Sequence, residues 1–530
     1  MWWIFWPALI ISAVSSRGAA HDQLRKSCNE YRVGAPVSEP CATPALALEQ
    51  LRVLNEREAT RRLNGGAIER LTWDEPAGTK HKFSIGIVEF DDQGNAWDPD
   101  QVRAVERDLR DTLQRSHTLV AVFVHGWKND CKACNGNLAC FRETLALLAA
   151  NEQVLAKLAS AKAMTPVPAR EVYGVYVAWR GASSTVEPAK ELSFFSRKAA
   201  ADRIGSSRGG ELTRLLAFLN AARETTTPKA VSPFGHMVSL LGHSFGADVL
   251  FGAVANALDA SIGSAIGADG LEAKPFGDVL VLVNPAFEAS AYLRFDEYTE
   301  KYWKRGHPPL MVTVQARNDW ATRFAFPAGR SIATLPQASG TGAGYRAMLT
   351  ALGHQRSYYT HDLASVPDPQ RSIDTLKAIT GVTPTARTPQ EQLGELIETM
   401  ARKPEQAPRE RCGCKGSRAS AQTLAALIDS ITFALAQTPP PGSLQVGSPM
   451  AGLTTKMTPC DEPNLDAPFL MVRTDPPVVD GHSGITDLRF FDFLANLIIR
   501  TQLLRDPQLH RIIAPAVSAP PTPATWPACR

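Results

Sequence analysis

The stretch His236-Met-Val-Ser-Leu-Leu-Gly-His-Ser-Phe-Gly-Ala-Asp-Val-Leu250 decides how the rest of the chain is interpreted. The apolar run Met237–Leu241 is typical of a buried strand, and the Ala-rich segment Ala247–Leu258 is typical of a helix. Between them stands Gly242-His243-Ser244-Phe245-Gly246. Strand, G-x-S-x-G and helix in this order predict a nucleophile elbow, a tight turn that presents the serine hydroxyl at the sheet edge. Glycine suits both positions because a larger side chain there would collide with the neighbouring strand and helix.

A second match to G-x-S-x-G, Gly205-Ser-Ser-Arg-Gly209, lacks this context. It follows the polar, basic segment Ser196–Arg203, and no strand precedes it. A nucleophile elbow needs a strand before it. We therefore interpret the second match as a flexible loop and Ser244 as the nucleophile.

Short apolar runs alternate with helical segments on both sides of the elbow. The other predicted strands are Phe83–Phe90, Leu119–Val124, Val172–Ala178, Asp278–Val283, Leu310–Gln315 and Pro468–Arg473. The predicted helices are Asp100–Leu113, Ala139–Ala161, Glu211–Arg223 and Asp487–Leu504. This alternation predicts a mostly parallel sheet with helices on both faces. Such sheets bind ligands at the carboxyl ends of their strands, where this chain carries its polar motifs.

A serine hydroxyl needs a histidine to accept its proton and a carboxylate to orient that histidine. In elbow-bearing sheets the acid follows the serine in the chain and the histidine comes last. Asp319 follows the strand two places after the elbow strand, and we assign it as the acid. Glu288, one strand earlier, is the alternative.

The histidine has three candidates downstream of the acid. His482 is preceded by a predicted strand and followed by an amphipathic helix, which is the position expected of the base. His354 and His361 lie in a long segment between the last two predicted core strands and are the alternatives. We assign His482.

The strand Leu119–Val124 runs directly into His125-Gly126-Trp127. In a nucleophile-elbow sheet, one backbone N–H of the oxyanion hole comes from such a loop and the other from the residue after the serine. The expected donors are therefore Trp127 and Phe245.

Four motifs together resemble the α/β-hydrolase superfamily, of the esterase and lipase kind. They are His125–Trp127, Gly242–Gly246, Asn284–Ala289 (N-P-A-F-E-A) and Asn318–Thr322 (N-D-W-A-T). In particular, the sequence is similar to a group of poorly characterised bacterial and fungal members. The resemblance covers roughly residues 80–325 and 465–505. It implies an α/β-hydrolase fold and ester or amide hydrolysis, and it implies no particular substrate.

The predicted organisation is a hydrolase core interrupted by a large insertion between its last two strands. The segments are a signal peptide or membrane anchor (1–20), an N-terminal cap (21–80), the first part of the core (81–321), an insertion that could form a lid (322–465), the last core strand and helix (466–508) and a Pro-rich tail (509–530). Within the insertion, helices are predicted around Gln390–Arg402 and Ala419–Ala436.

The N-terminal apolar run of about 14 residues predicts export to the periplasm or the outside of the cell, with residues 1–16 as a membrane anchor if it is not cleaved. The nine cysteines then favour disulfides, such as Cys28–Cys41 and one pair among Cys131, Cys134 and Cys140. Cys131-x-x-Cys134 has no matching ligands nearby, so neither a metal nor another cofactor is expected. A net charge of +3 without a basic stripe argues against nucleic acid as a partner.

The expected activity is cleavage of carboxylic esters, small-molecule or lipid, through Ser244, His482 and Asp319 and an acyl-enzyme. Two alternatives remain at this stage. One is a catalytically inactive binding protein of the cell envelope on the same fold, and the other is an acyltransferase that uses the same triad.

Overall fold

The structure is a computed structural model. It describes residues 61–63, 66–74, 80–131, 135–181, 194–206, 210–229, 231–265, 273–299, 308–333, 341–364, 383–385, 387, 392, 452–455, 468–476, 478–485 and 487–505. The predicted signal or anchor, the predicted helix around residues 419–436 and the Pro-rich tail lie outside the described residues, as do Cys28, Cys41 and Cys134. The predicted helix around residues 390–402 also lies outside them, apart from residue 392.

The described chain is built on one mixed, mostly parallel sheet of eleven strands in the order β1-β2-β3-β5-β4-β6-β7-β8-β11-β9-β10. The strands are β1 Arg61–Leu63, β2 Ile68–Asp74, β3 Lys80–Phe90, β4 Thr118–Val124, β5 Glu171–Trp179, β6 Met237–His243, β7 Val279–Val283, β8 Met311–Ala316, β9 His361–Ala364, β10 Gly452–Thr455 and β11 Phe469–Thr474. All neighbours from β3 to β9 in this order are parallel. The prediction of an α/β architecture with a mostly parallel sheet is confirmed.

Helices cover both faces of the sheet. They are α1 Pro99–Arg115, α2 Gly136–Ala163, α3 Phe194–Gly205, α4 Glu211–Thr225, α5 Phe245–Ala265, α6 Leu293–Thr299, α7 Phe326–Ala333, α8 Gly342–Leu349 and α9 Leu488–Arg505. One core cluster joins the sheet to α2 and α9, and a second joins its other face to α1, α3, α4 and α5. Because both faces are covered, every residue of β4, β7 and β8 is buried, as expected for central parallel strands.

Helix α1 shows how the local sequence determines where a helix begins and which face it buries. The Asp98 side chain accepts a hydrogen bond from the Asp100 N–H and so caps the helix, and Pro99 occupies its first position. The buried aliphatic side chains recur three or four positions apart and face the sheet: Val102, Val105, Leu109 and Leu113.

The antiparallel edge formed by β1 and β2 was not predicted. The boundary drawn at residue 80 puts both strands in an N-terminal cap, whereas β2 pairs with β3 along its whole length, from Ile68 opposite Gly86 to Asp74 opposite Lys80. The described part of the cap segment is therefore part of the sheet.

The polar segment Ser196–Arg203, which precedes the second G-x-S-x-G match, forms most of α3. Residues 207–209 of the match itself, interpreted as a flexible loop, lie outside the described residues. The helix packs closely on α5: a Cβ added to Gly205 would lie 2.6 Å from the Val249 carbonyl oxygen. Arg197 and Lys198 are polar in sequence and yet buried, with Arg197 paired to Asp92. The second G-x-S-x-G match thus begins at the end of a buried helix.

The segment between β8 and β11 begins as part of the globular core. It opens with a short π-helix, Ala321–Ala325, and continues through α7 and α8 to β9, which lies parallel to β11. β10 then pairs antiparallel with β9. These described parts of the predicted insertion extend the sheet beyond its last core strand.

Among the described residues, one helix, Phe245–Ser264 of α5, is long and apolar enough to cross a membrane. It is mostly buried, in contact with β6 and α3, which is the behaviour of a core helix.

Candidate functional site

Ser244 lies between the end of β6 and the start of α5 with a φ of 58°. A positive φ is uncommon for a residue with a side chain and costs of order 1–3 kcal/mol. The surrounding backbone holds it there. The Ser244 N–H donates to Val283, and its carbonyl accepts from the N–H groups of Ala247 and Ala286. The sharp turn predicted from the motif is therefore present.

Three glycines surround this turn because no Cβ fits. On Gly242 a Cβ would lie 2.7 Å from the Ala247 Cα, and on Gly246 it would lie 2.1 Å from the Val124 carbonyl oxygen. On Gly126 it would lie 2.6 Å from the Ser244 Cβ. All three distances are shorter than real Cβ contacts, so each glycine is required sterically.

His482 joins Ser244 to Asp319. Its Nε2 lies 2.8 Å from the Ser244 Oγ, and its Nδ1 lies 2.8 Å from the Asp319 Oδ2. An ionised carboxylate only accepts hydrogen bonds, so the Nδ1 carries the proton and the Nε2 is free to accept from the serine hydroxyl. The structure thus brings the three residues assigned from the sequence together in the expected order.

Asp319 is fully buried and densely hydrogen-bonded. Its Oδ2 accepts from the Thr322 hydroxyl at 2.5 Å and from the Gln315 Nε2 at 3.1 Å, in addition to His482. Burial alone would raise the pKa of Asp319, but the bonds from His482 and Thr322 outweigh it and hold the pKa well below its usual range. Asp319 is therefore a stable anion beside the imidazole.

The loop that carries His482 is fixed by three side chains from strand ends. The His482 carbonyl accepts from the His243 Nε2 at 2.7 Å and from the Asn284 Nδ2 at 2.9 Å. The Asn318 side chain donates to Asp480 at 2.7 Å and accepts from the Gly481 N–H at 2.9 Å. The position of the imidazole is therefore set by β6, β7 and the end of β8.

His243 and His125 are structural histidines of the site. Burial, followed by the nearby His482, lowers the pKa of His243 to about 3, and burial lowers the pKa of His125 to about 4. The His125 Nδ1 lies 3.0 Å from the Gly126 carbonyl oxygen, and its Nε2 accepts from the Trp179 N–H at 3.2 Å. His125 therefore ties the loop after β4 to the end of β5.

The two predicted oxyanion-hole segments both flank Ser244. Phe245 is the first residue of α5, and the first four N–H groups of a helix have no partner within it. Trp127 follows Gly126, on which an added Cβ would lie 2.6 Å from the Ser244 Cβ. The rings of Trp127 and Phe245 have centroids 6.3 Å apart. Their role as oxyanion donors stays a prediction.

The alternative residues lie elsewhere. Glu288 forms ion pairs with Arg330 at 2.8 Å and with Lys198 at 3.3 Å, in a buried charge cluster. His361 is buried in β9, and its Nδ1 is hydrogen-bonded to the Thr360 hydroxyl. His354 lies behind the acid, with its Nε2 3.0 Å from the Thr322 Oγ1.

Four further side chains at this site, His243, Asn284, Gln315 and Thr322, have no role predicted from the sequence. Asn284 and Thr322 stand in the N-P-A-F-E-A and N-D-W-A-T motifs, and His243 stands inside the elbow, so the motifs themselves carried a signal. No sequence pattern pointed to Gln315, because the face of the sheet on which a strand residue lies is known only once the register of the strand is known.

Elsewhere in the described part of the chain, no group of three or more His, Cys, Asp or Glu side chains is arranged to hold a metal ion. A groove that is partly open to solvent lies between α2 and α9. It is lined mainly by apolar side chains, including Phe123, Leu241, Leu494 and Ile498, and contains neither the triad nor a charged group. Among the described residues, the candidate catalytic side chains therefore lie around Ser244.

Comparison of the chain with models of protein families, with curated proteins and with solved structures found no match.

Proposed function

We propose that this protein is a serine hydrolase of the α/β-hydrolase type that cleaves carboxylic esters. The observation that carries the proposal is the relay from Ser244 through His482 to Asp319, with both hydrogen bonds at 2.8 Å and the serine on a strained turn. A structural serine needs neither a base aligned with its hydroxyl nor a positive φ. The four-motif resemblance supports the same reaction class.

The reaction proceeds in two halves. The Ser244 Oγ attacks the ester carbonyl carbon while its proton passes to the His482 Nε2. The carbonyl π electrons move to the oxygen, and the Phe245 and Trp127 N–H groups stabilise that oxyanion. The tetrahedral intermediate collapses, the C–O bond to the alcohol breaks, and the alcohol leaves with the proton from His482.

Water then completes the cycle. His482 takes a proton from a water molecule, the resulting hydroxide attacks the acyl carbon, and the bond to the Ser244 Oγ breaks as the serine regains its proton. Asp319 stays ionised throughout and stabilises the imidazolium that forms in each half. General base catalysis and the oxyanion hole each supply on the order of 10²–10⁴ in rate.

A fluorophosphonate probe tests the assignment, together with turnover of p-nitrophenyl acetate and butyrate. We expect the parent to label at one site and to hydrolyse the esters, and Ser244→Ala to do neither. Equal labelling of Ser244→Ala would overturn the nucleophile assignment. A parent that neither labels nor turns over esters would favour the inactive binding protein, and diversion of the acyl group to added alcohols would favour the acyltransferase.

A further inference from the structure

A second hydrogen-bonded chain approaches the triad from behind the acid. The His354 Nε2 lies 3.0 Å from the Thr322 Oγ1, and the Thr322 Oγ1 lies 2.5 Å from the Asp319 Oδ2. That carboxylate oxygen is the one bonded to the His482 Nδ1. Five side chains therefore form one continuous line that ends at the Ser244 hydroxyl.

The direction of each bond follows from counting protons. The Thr322 hydroxyl has one hydrogen, and the ionised Asp319 can only accept, so that hydrogen points to the Asp319 Oδ2. The Thr322 oxygen must then accept from His354, which places a proton on the His354 Nε2. If His354 accepted instead, a lone pair of the Thr322 oxygen would face the carboxylate at 2.5 Å.

The groups around His354 keep it a neutral donor. Burial, followed by the charge of Arg323, lowers the pKa of His354 to about 4, against the opposing effect of Asp319. His482 is the other titratable group whose charge acts on it, and it also lowers the pKa. The Gln315 Nε2 reinforces the arrangement, since it lies 3.1 Å from both the Thr322 Oγ1 and the Asp319 Oδ2.

The backbone allows this approach because the turn Leu352–His354 packs directly on the end of β8. A Cβ on Gly353 would lie 2.1 Å from the Gln315 Oε1, so the turn could not come so close with another residue there. Thr322 itself sits in the π-helix that follows the acid, and its own N–H donates to the Asp319 Oδ1 at 3.2 Å.

We propose that His354 is a positioning residue for the triad: it holds the Thr322 hydroxyl as a donor to Asp319 and thereby sets how strongly that carboxylate attracts the proton of His482. The proposal rests on the serine hydrolase function proposed above. His354 is hydrogen-bonded to neither the serine nor the base, so it acts on them through Thr322 and through its own interaction with the Asp319 backbone. Without it the Thr322 oxygen keeps only Gln315 as a side-chain donor, so the hydroxyl is held less firmly toward Asp319 and the carboxylate keeps more uncompensated charge.

The rate of fluorophosphonate labelling between pH 5 and 9 measures this effect without knowledge of the substrate. In His354→Leu we expect the plateau rate to fall about tenfold, the scale of one lost hydrogen bond to a charged group. The acid limb of the profile should move to higher pH, because a less compensated Asp319 holds protonated His482 more strongly. His354→Gln, which keeps an N–H donor, should recover most of the rate and the parent's acid limb.

The pair Thr322→Val and Thr322→Ser repeats the test without altering His354, and decides it if His354→Leu does not fold. The valine variant should reproduce the shifted limb and the serine variant should not. His361→Gln is the matched control, since His361 is buried outside the chain of bonds and should leave the profile unchanged.

Two outcomes overturn the proposal. One is a parent-like profile in both His354→Leu and Thr322→Val. The other is a rate loss with an unmoved acid limb and no recovery in His354→Gln, which would mean a merely structural role. Failure of the proposed function looks different: the parent itself would not label, and the positioning role would fall with it.

Discussion

Asn284 donates from its side chain to the carbonyl of His482 at 2.9 Å while its own backbone has a φ of 46°. The same side chain accepts from the Ala316 N–H at 2.8 Å. One buried asparagine thus ties the loop of His482 to the ends of β7 and β8. Asparagine tolerates the left-handed backbone region better than most residues, so both the amide and the backbone suit this position.

Removing the Asn284 amide should loosen the base without unfolding the protein. In Asn284→Gly the backbone keeps its freedom at positive φ, so only the side-chain bonds are lost. We expect labelling by a fluorophosphonate to slow about tenfold or more, from the loss of buried hydrogen bonds to the His482 loop. Asn284→Ala adds backbone strain and should also lower the free energy of unfolding. Parent-like labelling in the glycine variant would contradict the role given to the amide.

The strain at Ser244 should be measurable as stability. Neither Ser244→Gly nor Ser244→Ala can act as a nucleophile, but only glycine relieves a φ of 58°. We expect the free energy of unfolding of Ser244→Gly to exceed that of Ser244→Ala by about 1 kcal/mol. Urea denaturation of the two variants side by side tests this. Equal stabilities would mean that the backbone at Ser244 is not strained.

Gly126→Ala should disable the site sterically. Its Cβ would lie 2.6 Å from the Ser244 Cβ and 3.2 Å from the Ser244 Oγ, so the serine side chain must move. A displacement of this size at a reacting atom typically costs about 100-fold, and we expect that loss in labelling rate. Gly263→Ala in α5 is the control, because nothing lies within 4 Å of its Cβ position and alanine favours a helix. That control should label normally and unfold at a slightly higher urea concentration, whereas normal labelling of Gly126→Ala would refute the packing argument.

Lowering the pH should lower the free energy of unfolding, because several buried histidines are neutral in the folded protein. Burial comes first among the causes that lower the pKa of His243 to about 3 and the pKa values of His125, His354 and His361 to about 4, against an ordinary 6.5. Between pH 6.5 and pH 4 the unfolded chain binds protons that the folded chain does not. The free energy of unfolding is therefore highest above pH 6.5 and falls as the pH drops, by up to about 1.4 kcal/mol per pH unit for each histidine.

Urea midpoints at pH 7.5, 6.5, 5.5 and 5.0 measure this dependence. His361→Gln removes one of these buried histidines without altering the hydrogen bonds that join Ser244, His482 and Asp319. It should reduce the slope of the free energy of unfolding against pH by the contribution of about one proton. A midpoint that rises toward pH 5, or a variant with the parent's slope, would contradict the expectation.

Much of the architecture and the triad could be predicted because the signals are local. Met237–Leu241 and Leu310–Gln315 are apolar runs that read as buried strands without knowledge of their neighbours. Since parallel strands end at one edge, chain order alone placed Asp319 and His482 opposite Ser244. The α/β architecture and the meeting of these three side chains followed from that.

The rest depended on pairings that no local pattern encodes. The strand β2 contains Glu69, Arg70 and Thr72, and it reads as polar because it lies near an edge and its charges are paired across the fold, Glu69 with Arg142. Lys198 of α3 is buried and forms ion pairs with Asp202, Asp248 and Glu288. In the sequence, by contrast, this part of α3 is recognisable only as a basic stretch. From the sequence His354 is an alternative base, because its distance from Asp319 along the chain does not reveal on which side of the carboxylate it lies.

The turn at Leu352–His354 has a consequence for anyone who recombines this chain with another. The segment between β8 and β11 looks like an exchangeable module in sequence, yet residues 341–364 supply the support behind Asp319 and the strand β9. A chimera cut directly after the acid would discard both and should lose activity even if it folds. A graft that retains the chain through Ala364 keeps the site intact, so the usable junction lies some forty residues further along than the motifs suggest.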